Sequence, residues 1–363
     1  MTNDTCENRS FRMNRRGFLA GGLASAAATS LPYQGLAAED DLYLIALEEH
    51  IATPELLERN GIKFPPKAPI GKLILETGAK RIADMDAAGI DMQVLSAMTP
   101  GAQDIPGQEG IDFARRFNDW MANELVSAYP NRFRAFATLP MQTPEAAADE
   151  LERAVKEDGC LGCMTYGSIG GKFLDDPMFA PVLAKAEELD VPIYIHPAAP
   201  TPQVLDEYYS GLGNPWLEKV LSGPGYGWHQ EVALQSLRMI VAGTFDKFPN
   251  LKIVIGHMGE GLPFYFWRLE GDLTFATRDT LSKPPQQYLR DNFWITTSAF
   301  FQDELLDLAL ATMGEDRVMF AVDFPFAKNQ KGADWLRAAD LPFEVKQKIA
   351  SGNAEKLLGL NRF

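Results

Sequence analysis

Apolar and polar positions along the chain repeat as a unit: a short apolar run, a polar loop, then an amphipathic helical pattern. The apolar runs are Leu42–His50, Met92–Met98, Phe133–Pro140, Gly159–Gly167, Pro192–Pro197, Lys252–Gly259, Phe293–Phe300 and Val318–Phe326. Helical patterns lie between them, among them Gly110–Pro130 and Thr143–Gly159. In the second, Thr143 is placed as an N-cap and Gly159 as a stop. Eight strand-like runs alternating with helices, with no break in composition, predict a single α/β domain over residues 39–363, a distorted (β/α)8 TIM barrel. The competing doubly wound sheet would carry a glycine-rich phosphate turn after its first strand, and none is present.

The first 38 residues stand apart from this pattern. Arg12, Arg15 and Arg16 precede a weakly apolar run, Gly17 to Leu31, and small residues follow at Gly35-Leu36-Ala37-Ala38. That layout predicts a signal peptide over residues 1–38, and Asn14–Leu19 (NRRGFL) resembles the twin-arginine type, implying an exported, periplasmic protein. Cleavage near Ala37 or Ala38 would remove four arginines and two acids, taking the formal charge from −15 to −17. Such an acidic chain argues against nucleic acid or an anionic membrane as partner. No later stretch has the length and apolarity of a membrane span.

Cysteine use excludes a disulfide framework. Cys6 falls in the leader, while Cys160 and Cys163 form a CxxC inside an apolar run. At that spacing in a strand the two side chains face opposite sides, which predicts packed thiols and not a redox pair or zinc site.

Two long segments should build a pocket at the C-terminal side of a barrel: Asn60–Ala79, with Lys67 and Lys72, and Ala198–Glu231. In the latter, Trp216, Tyr226, Trp228 and His229 either wall a flat ligand or fill the loop's own small core. His229 matches no ligand pattern and reads as a pocket or structural histidine, the structural role favoured.

The chemistry lies in where the polar residues fall. The first run ends in Glu48, Glu49 and His50, and alternation puts Glu48 and His50 on one face and Glu49 on the other. Other runs end in His196, His257 and Asp323. Three of the four histidines thus sit at strand C-termini, where barrel enzymes place their catalytic groups. Glu48, His50, His196 and Asp323 form a mixed nitrogen and oxygen set suited to Zn(II), Mn(II) or Fe(II).

These motifs together, LEEH, IYIHP, GHMGEGLPF and VDFPF, resemble the amidohydrolase-related, metal-dependent barrel decarboxylases, the branch of gamma-resorcylate, 2,3-dihydroxybenzoate and 5-carboxyvanillate decarboxylases. The resemblance runs from about Leu44 to Leu360. It implies one divalent ion, zinc or manganese, on Glu48, His50, His196 and Asp323. It further implies a catalytic dyad of His257 and Glu260, Arg268 as the grip on a substrate carboxylate, and a homo-oligomer, dimer or tetramer. Hydrolytic relatives usually carry HxH on the first strand and a bridging lysine on the fourth. Here Glu48 replaces the first histidine and GCLGCMTYG has no lysine. The expected activity is non-oxidative loss of CO2 from a hydroxylated aromatic acid, with Asp323 relaying the proton. Two alternatives stay open at this level: a mononuclear metal hydrolase of a lactone or cyclic amide, and an exported binding protein for a metal or aromatic acid.

Overall fold

A computed structural model of the chain describes residues 42–360. The predicted leader, with its expected twin-arginine motif, lies outside the described residues. All eight predicted runs supply a strand: β1 (Ile45–Ile51), β2 (Met92–Ala97), β3 (Phe133–Ala135), β4 (Cys163–Tyr166), β5 (Ile193–His196), β6 (Ile253–Ile255), β7 (Phe293–Thr296) and β8 (Val318–Met319). Each is parallel to its neighbours in sequence order. Single bridges complete the circuit, Ala137 to Cys163 between β3 and β4, and Glu49 to Phe324 between β8 and β1. The amide of His50 donates to the carbonyl of Phe324 at 2.7 Å across that last seam. Closure removes every free strand edge and yields the expected (β/α)8 barrel.

Two apolar layers hold it. Ile45, Leu47, Val94, Phe136, Tyr194, Val254 and Met319 point inward and fill the barrel, with Leu357 and Leu358 packed against the same cluster. A larger cluster joins the outward faces of the strands to the helices, including Leu95, Phe113, Phe117, Leu151, Phe179 and Ile195. The second predicted helix spans Pro144–Lys156; Thr143 occupies its N-cap position, but its side chain makes no capping bond. Among the described residues no helix is long and apolar enough to cross a membrane.

One feature of β1 departs from simple alternation. Ala46 pairs with Gln93 and Glu49 with Leu95, so three steps along β1 match two along β2. The extra residue is a β-bulge, which re-aims the side chains beyond it. Ile45 and Leu47 face the barrel interior, and so do Glu48 and His50, while Glu49 turns outward.

Cys160 precedes β4 and does not lie in it, so the two thiols pack in the same outer layer, not on opposite faces. Both are free and buried. Burial pushes the Cys163 thiol up to about 12 and the Cys160 thiol higher still. The nucleophilic thiolate is therefore absent near neutrality. In a chain lacking residues 1–38, neither thiol should react with a disulfide reagent at pH 8 until denaturant is added, and both should react then. Labelling of the folded protein would contradict this packing.

Candidate metal centre

The C-terminal ends of β1, β5, β6 and β8 converge on one buried point. Glu48, His50, His196 and Asp323 each offer a ligand atom, and these atoms lie within 4.8 Å of one another. All four side chains are buried. Glu48 Oε1, His50 Nε2 and Asp323 Oδ1 have no hydrogen-bond partner, although His50 Nε2 lies 3.3 Å from Asp323 Oδ1 and His196 Nε2 lies 3.2 Å from Glu48 Oε1. Buried polar atoms without partners are costly, and lone pairs that face one another in this way need a cation between them. The donor set fits a divalent ion.

The opposite atom of each ligand is tied down, which aims the free one. Ser96 Oγ lies 3.1 Å from His50 Nδ1. His196 Nδ1 donates to the Pro197 carbonyl at 2.6 Å, leaving Nε2 as the lone-pair donor. Glu48 Oε2 accepts from the hydroxyls of Tyr194 and Ser298, so Oε1 alone faces the centre. Gly256 makes room for this carboxylate, since a Cβ there would stand 2.6 Å from Glu48 Oε2. Burial alone would push the Glu48 carboxyl up, but His257, His196 and His50 together outweigh it and hold the group ionised. Burial depresses His50, keeping it a neutral imidazole, the form that binds metal.

Asp323 sits in the loop after β8 with φ of +68°, a left-handed conformation that aspartate tolerates better than most residues. Its neighbours are clamped by Glu49. The amides of Val322 and Phe324 donate to Glu49 Oε1 and Oε2 at 2.8 and 3.1 Å. Burial raises the Glu49 carboxyl to about 8, against the pull of those amides and of Arg81. Arg81 is itself buried, donating to the His50 carbonyl and to Gln93.

His257 and Glu260 form the expected pair, with Nδ1 to Oε1 at 2.8 Å. The turn that carries them is strained: His257, Met258 and Glu260 all have φ between +50° and +56°. Such outliers gather where a site over-determines its backbone. Burial works against a charge on His257, yet Glu260, Glu48 and Asp323 outweigh it and raise its pKa well above the usual range. Its Nε2 lies 3.7 Å from Glu48 Oε1 and 3.8 Å from Asp323 Oδ2, so it faces the centre.

Arg268 does not join the cluster. The helix Leu262–Arg268 buries Leu262, Pro263 and Phe266, and Arg268, two positions beyond Phe266, falls on the opposite side. Its side chain is 74% exposed and pairs with Asp272 at 2.8 Å. Within this chain the expected grip on a substrate carboxylate is not formed. His229, expected to be structural, instead bonds the far oxygen of Glu260 at 2.6 Å. Tyr194 was also missed; it stands two residues before His196, and strand alternation alone would have placed it on the same inward face.

Beside the centre opens a cavity of about 850 Å³, lined among others by Met98, Gln103, Tyr166, Ala198, Lys219 and Trp228. Tyr166 and Trp228 both pack edge-on to His196, at 5.7 and 6.2 Å between ring centroids, so the cavity shares a wall with the ligand set. Trp216 and Tyr226, from the same long segment as Trp228, are exposed.

A sequence model of the family described as amidohydrolase matches residues 66–360. The chain is 39% identical over 332 residues to gamma-resorcylate decarboxylase of a Polaromonas species, covering 88% of this chain and 99% of that protein. Gamma-resorcylate decarboxylase of Rhodococcus jostii is also 39% identical, over 336 residues with the same coverage. Among solved structures, 2,6-dihydroxybenzoate decarboxylase in complex with 2,6-dihydroxybenzoate superposes with a TM-score of 0.81 at 36% identity, covering 88% of this chain and all of that one. A dihydroxybenzoic acid decarboxylase from Polaromonas sp. JS666, with bound manganese and the inhibitor 2-nitroresorcinol, gives 0.81 at 37%, covering 89% and 98%.

Proposed function

The chain belongs to the amidohydrolase family, among its metal-dependent aromatic acid decarboxylases, and we propose that its own substrate is a benzoate with a hydroxyl ortho to the carboxylate. The observation that carries the reading is the placing of Asp323. One carboxylate both offers an unpartnered oxygen to the ligand set and faces the His257 dyad.

Direct loss of CO2 from an arene carboxylate would leave an aryl anion too unstable to form in water. Protonating the ring carbon first avoids it, and an ortho oxygen supplies the electron density. A divalent ion on Glu48, His50, His196 and Asp323 supplies Lewis acidity and a template for the substrate's oxygens. Asp323 takes the phenolic proton and delivers it to the ring carbon that bears the carboxylate. The carbon–carboxylate bond then breaks, its electron pair restores the aromatic ring, and CO2 leaves. Asp323 is again a carboxylate, and the product phenolate takes its proton from water. His257, held by Glu260 with Nε2 facing the centre, steadies the phenolate. Tyr166 and Trp228 flank the space beside His196 and fit a flat ring. The balance requires no oxidant.

Metal analysis joined to a CO2 assay tests this. The protein should hold about one manganese or zinc per chain. It should release CO2 from 2-hydroxy- and 2,6-dihydroxybenzoates but not from benzoate, and chelation should abolish the activity until Mn(II) is restored. Turnover of a lactone without CO2 release would instead make the site a hydrolase.

A further inference from the structure

Glu260 has a partner more than a dyad requires. Its Oε1 meets His257 Nδ1 at 2.8 Å and its Oε2 meets His229 Nδ1 at 2.6 Å. The second imidazole comes from a different element, the first turn of the helix Gly227–Val241. The three groups lie close enough to form a compact cluster beside the four-ligand set but separate from it.

The hydrogen-bond directions run one way through this cluster. An indole N–H can only donate, and Trp228 Nε1 stands 3.0 Å from His229 Nε2. Accepting there leaves the His229 proton on Nδ1, which donates to Glu260 Oε2. Glu260 Oε1 accepts from His257 Nδ1–H, and His257 Nε2 is left facing Glu48 and Asp323. The Pro224 carbonyl, 3.2 Å from His229 Nε2, can only accept and so competes with Trp228 for that nitrogen, but the 2.6 Å contact with a carboxylate oxygen requires the proton on Nδ1 in either case. Phe300 packs edge-on to both imidazoles at 5.7 Å. With His257 alone, Oε2 would lie buried without a donor and the carboxylate would be free to turn.

We propose that His229 is a positioning residue for the reaction: with Trp228 behind it, it locks both oxygens of Glu260 and so fixes how His257 presents Nε2 to the substrate. The inference rests on the decarboxylase reading for its kinetic consequence, not for its geometry. A group that steadies a developing phenolate is effective only when its orientation is set before the reaction. His229 acts through Glu260 and through its own edge-on contact with His257, 4.6 Å between ring centroids, and is not a member of the four-ligand set.

The test compares His229→Phe, which keeps a ring and removes the donor, with His229→Asn, whose amide N–H falls near the position of Nδ1. Proton NMR of the zinc-loaded protein with 15N-labelled histidine reads the geometry, and CO2 release from 2,6-dihydroxybenzoate reads the consequence. The unaltered protein should show two low-field imidazole protons bonded to Glu260. His229→Phe should lose one and shift that of His257, with kcat down about 10- to 100-fold and KM nearly unchanged. His229→Asn should recover most of the loss, which a purely structural role would not explain. His229→Gln, with its amide placed further out, serves as the donor-loss variant if the phenylalanine does not fold. An unmoved His257 resonance, or a kcat for the donor-loss variant within about twofold of the unaltered protein, overturns the proposal. Absence of CO2 from every hydroxybenzoate would instead remove the decarboxylase reading, and the NMR arm would still decide whether His229 holds Glu260.

Discussion

Asp323→Asn should lower kcat by roughly a thousandfold while leaving the protein folded and the ion bound more weakly. The amide keeps an oxygen for the ligand set, but it can neither take up the phenolic proton nor hand it to the ring. General acid–base groups contribute on the order of 10²–10⁴ in rate, and here one group performs both transfers. Asp323 has no buried hydrogen-bond partner for Oδ1 to lose, so the fold should tolerate the change. A second measurement isolates the proton step from carbon–carbon cleavage. Incubated in D2O with the phenolic product alone, the unaltered protein should exchange the ring hydrogen at the carbon that had carried the carboxylate. The variant, reconstituted with Mn(II), should not. A metal-replete variant with kcat within about tenfold of the unaltered protein would remove Asp323 from the proton path.

The barrel and its ligand set were legible in the sequence for one reason. A polar residue ending an apolar run is conspicuous, and Glu48, His50, His196 and Asp323 all do so. What was illegible is how β1 presents its pair. Ile45 and Leu47 face inward, and strict alternation from them would turn Glu49 inward as well, sending Glu48 and His50 toward the helices. The bulge between Ala46 and Glu49 reverses the phase, and nothing in IALEEHI marks where an extra residue is absorbed. It is decided by pairing with β2, a contact remote in sequence. His229 was missed on the same ground, since its meeting with Glu260 depends on how the long segment after β5 folds back. The placement of Arg268 is readable from the sequence. Leu262 and Phe266, four apart, define the inner face of their helix, and position 268 lies away from it.

Replacing Glu49 should cost stability and metal together, because this residue holds the loop that carries Asp323. Every contact of its carboxylate is a donor: the amides of Val322 and Phe324, and more distantly Gln93 Nε2 at 3.4 Å. Glu49→Leu would leave two buried amides without acceptors, at about 1–3 kcal/mol each. A loss of about 3 kcal/mol follows, a fall in Tm of roughly 4–5 °C for a domain of this size. Above about pH 8, where the Glu49 carboxyl is ionised, Glu49→Gln should be nearly as damaging, since its amide nitrogen would point a donor at one of the two backbone donors. The effect on the centre comes through the backbone. Val322 and Phe324 bracket Asp323, whose φ of +68° is held from both sides by the clamp. Freed from it, Asp323 relaxes toward the right-handed region and withdraws Oδ1 from His50 and the ion. Manganese affinity, measured by competition with a chelator, should fall about 10- to 100-fold, the range expected when a group that orients a ligand is lost. A Glu49→Leu protein that melts where the unaltered protein does and binds manganese as tightly would show that the loop holds itself. The residue that alternation sends away from the ion would then have no part in placing it.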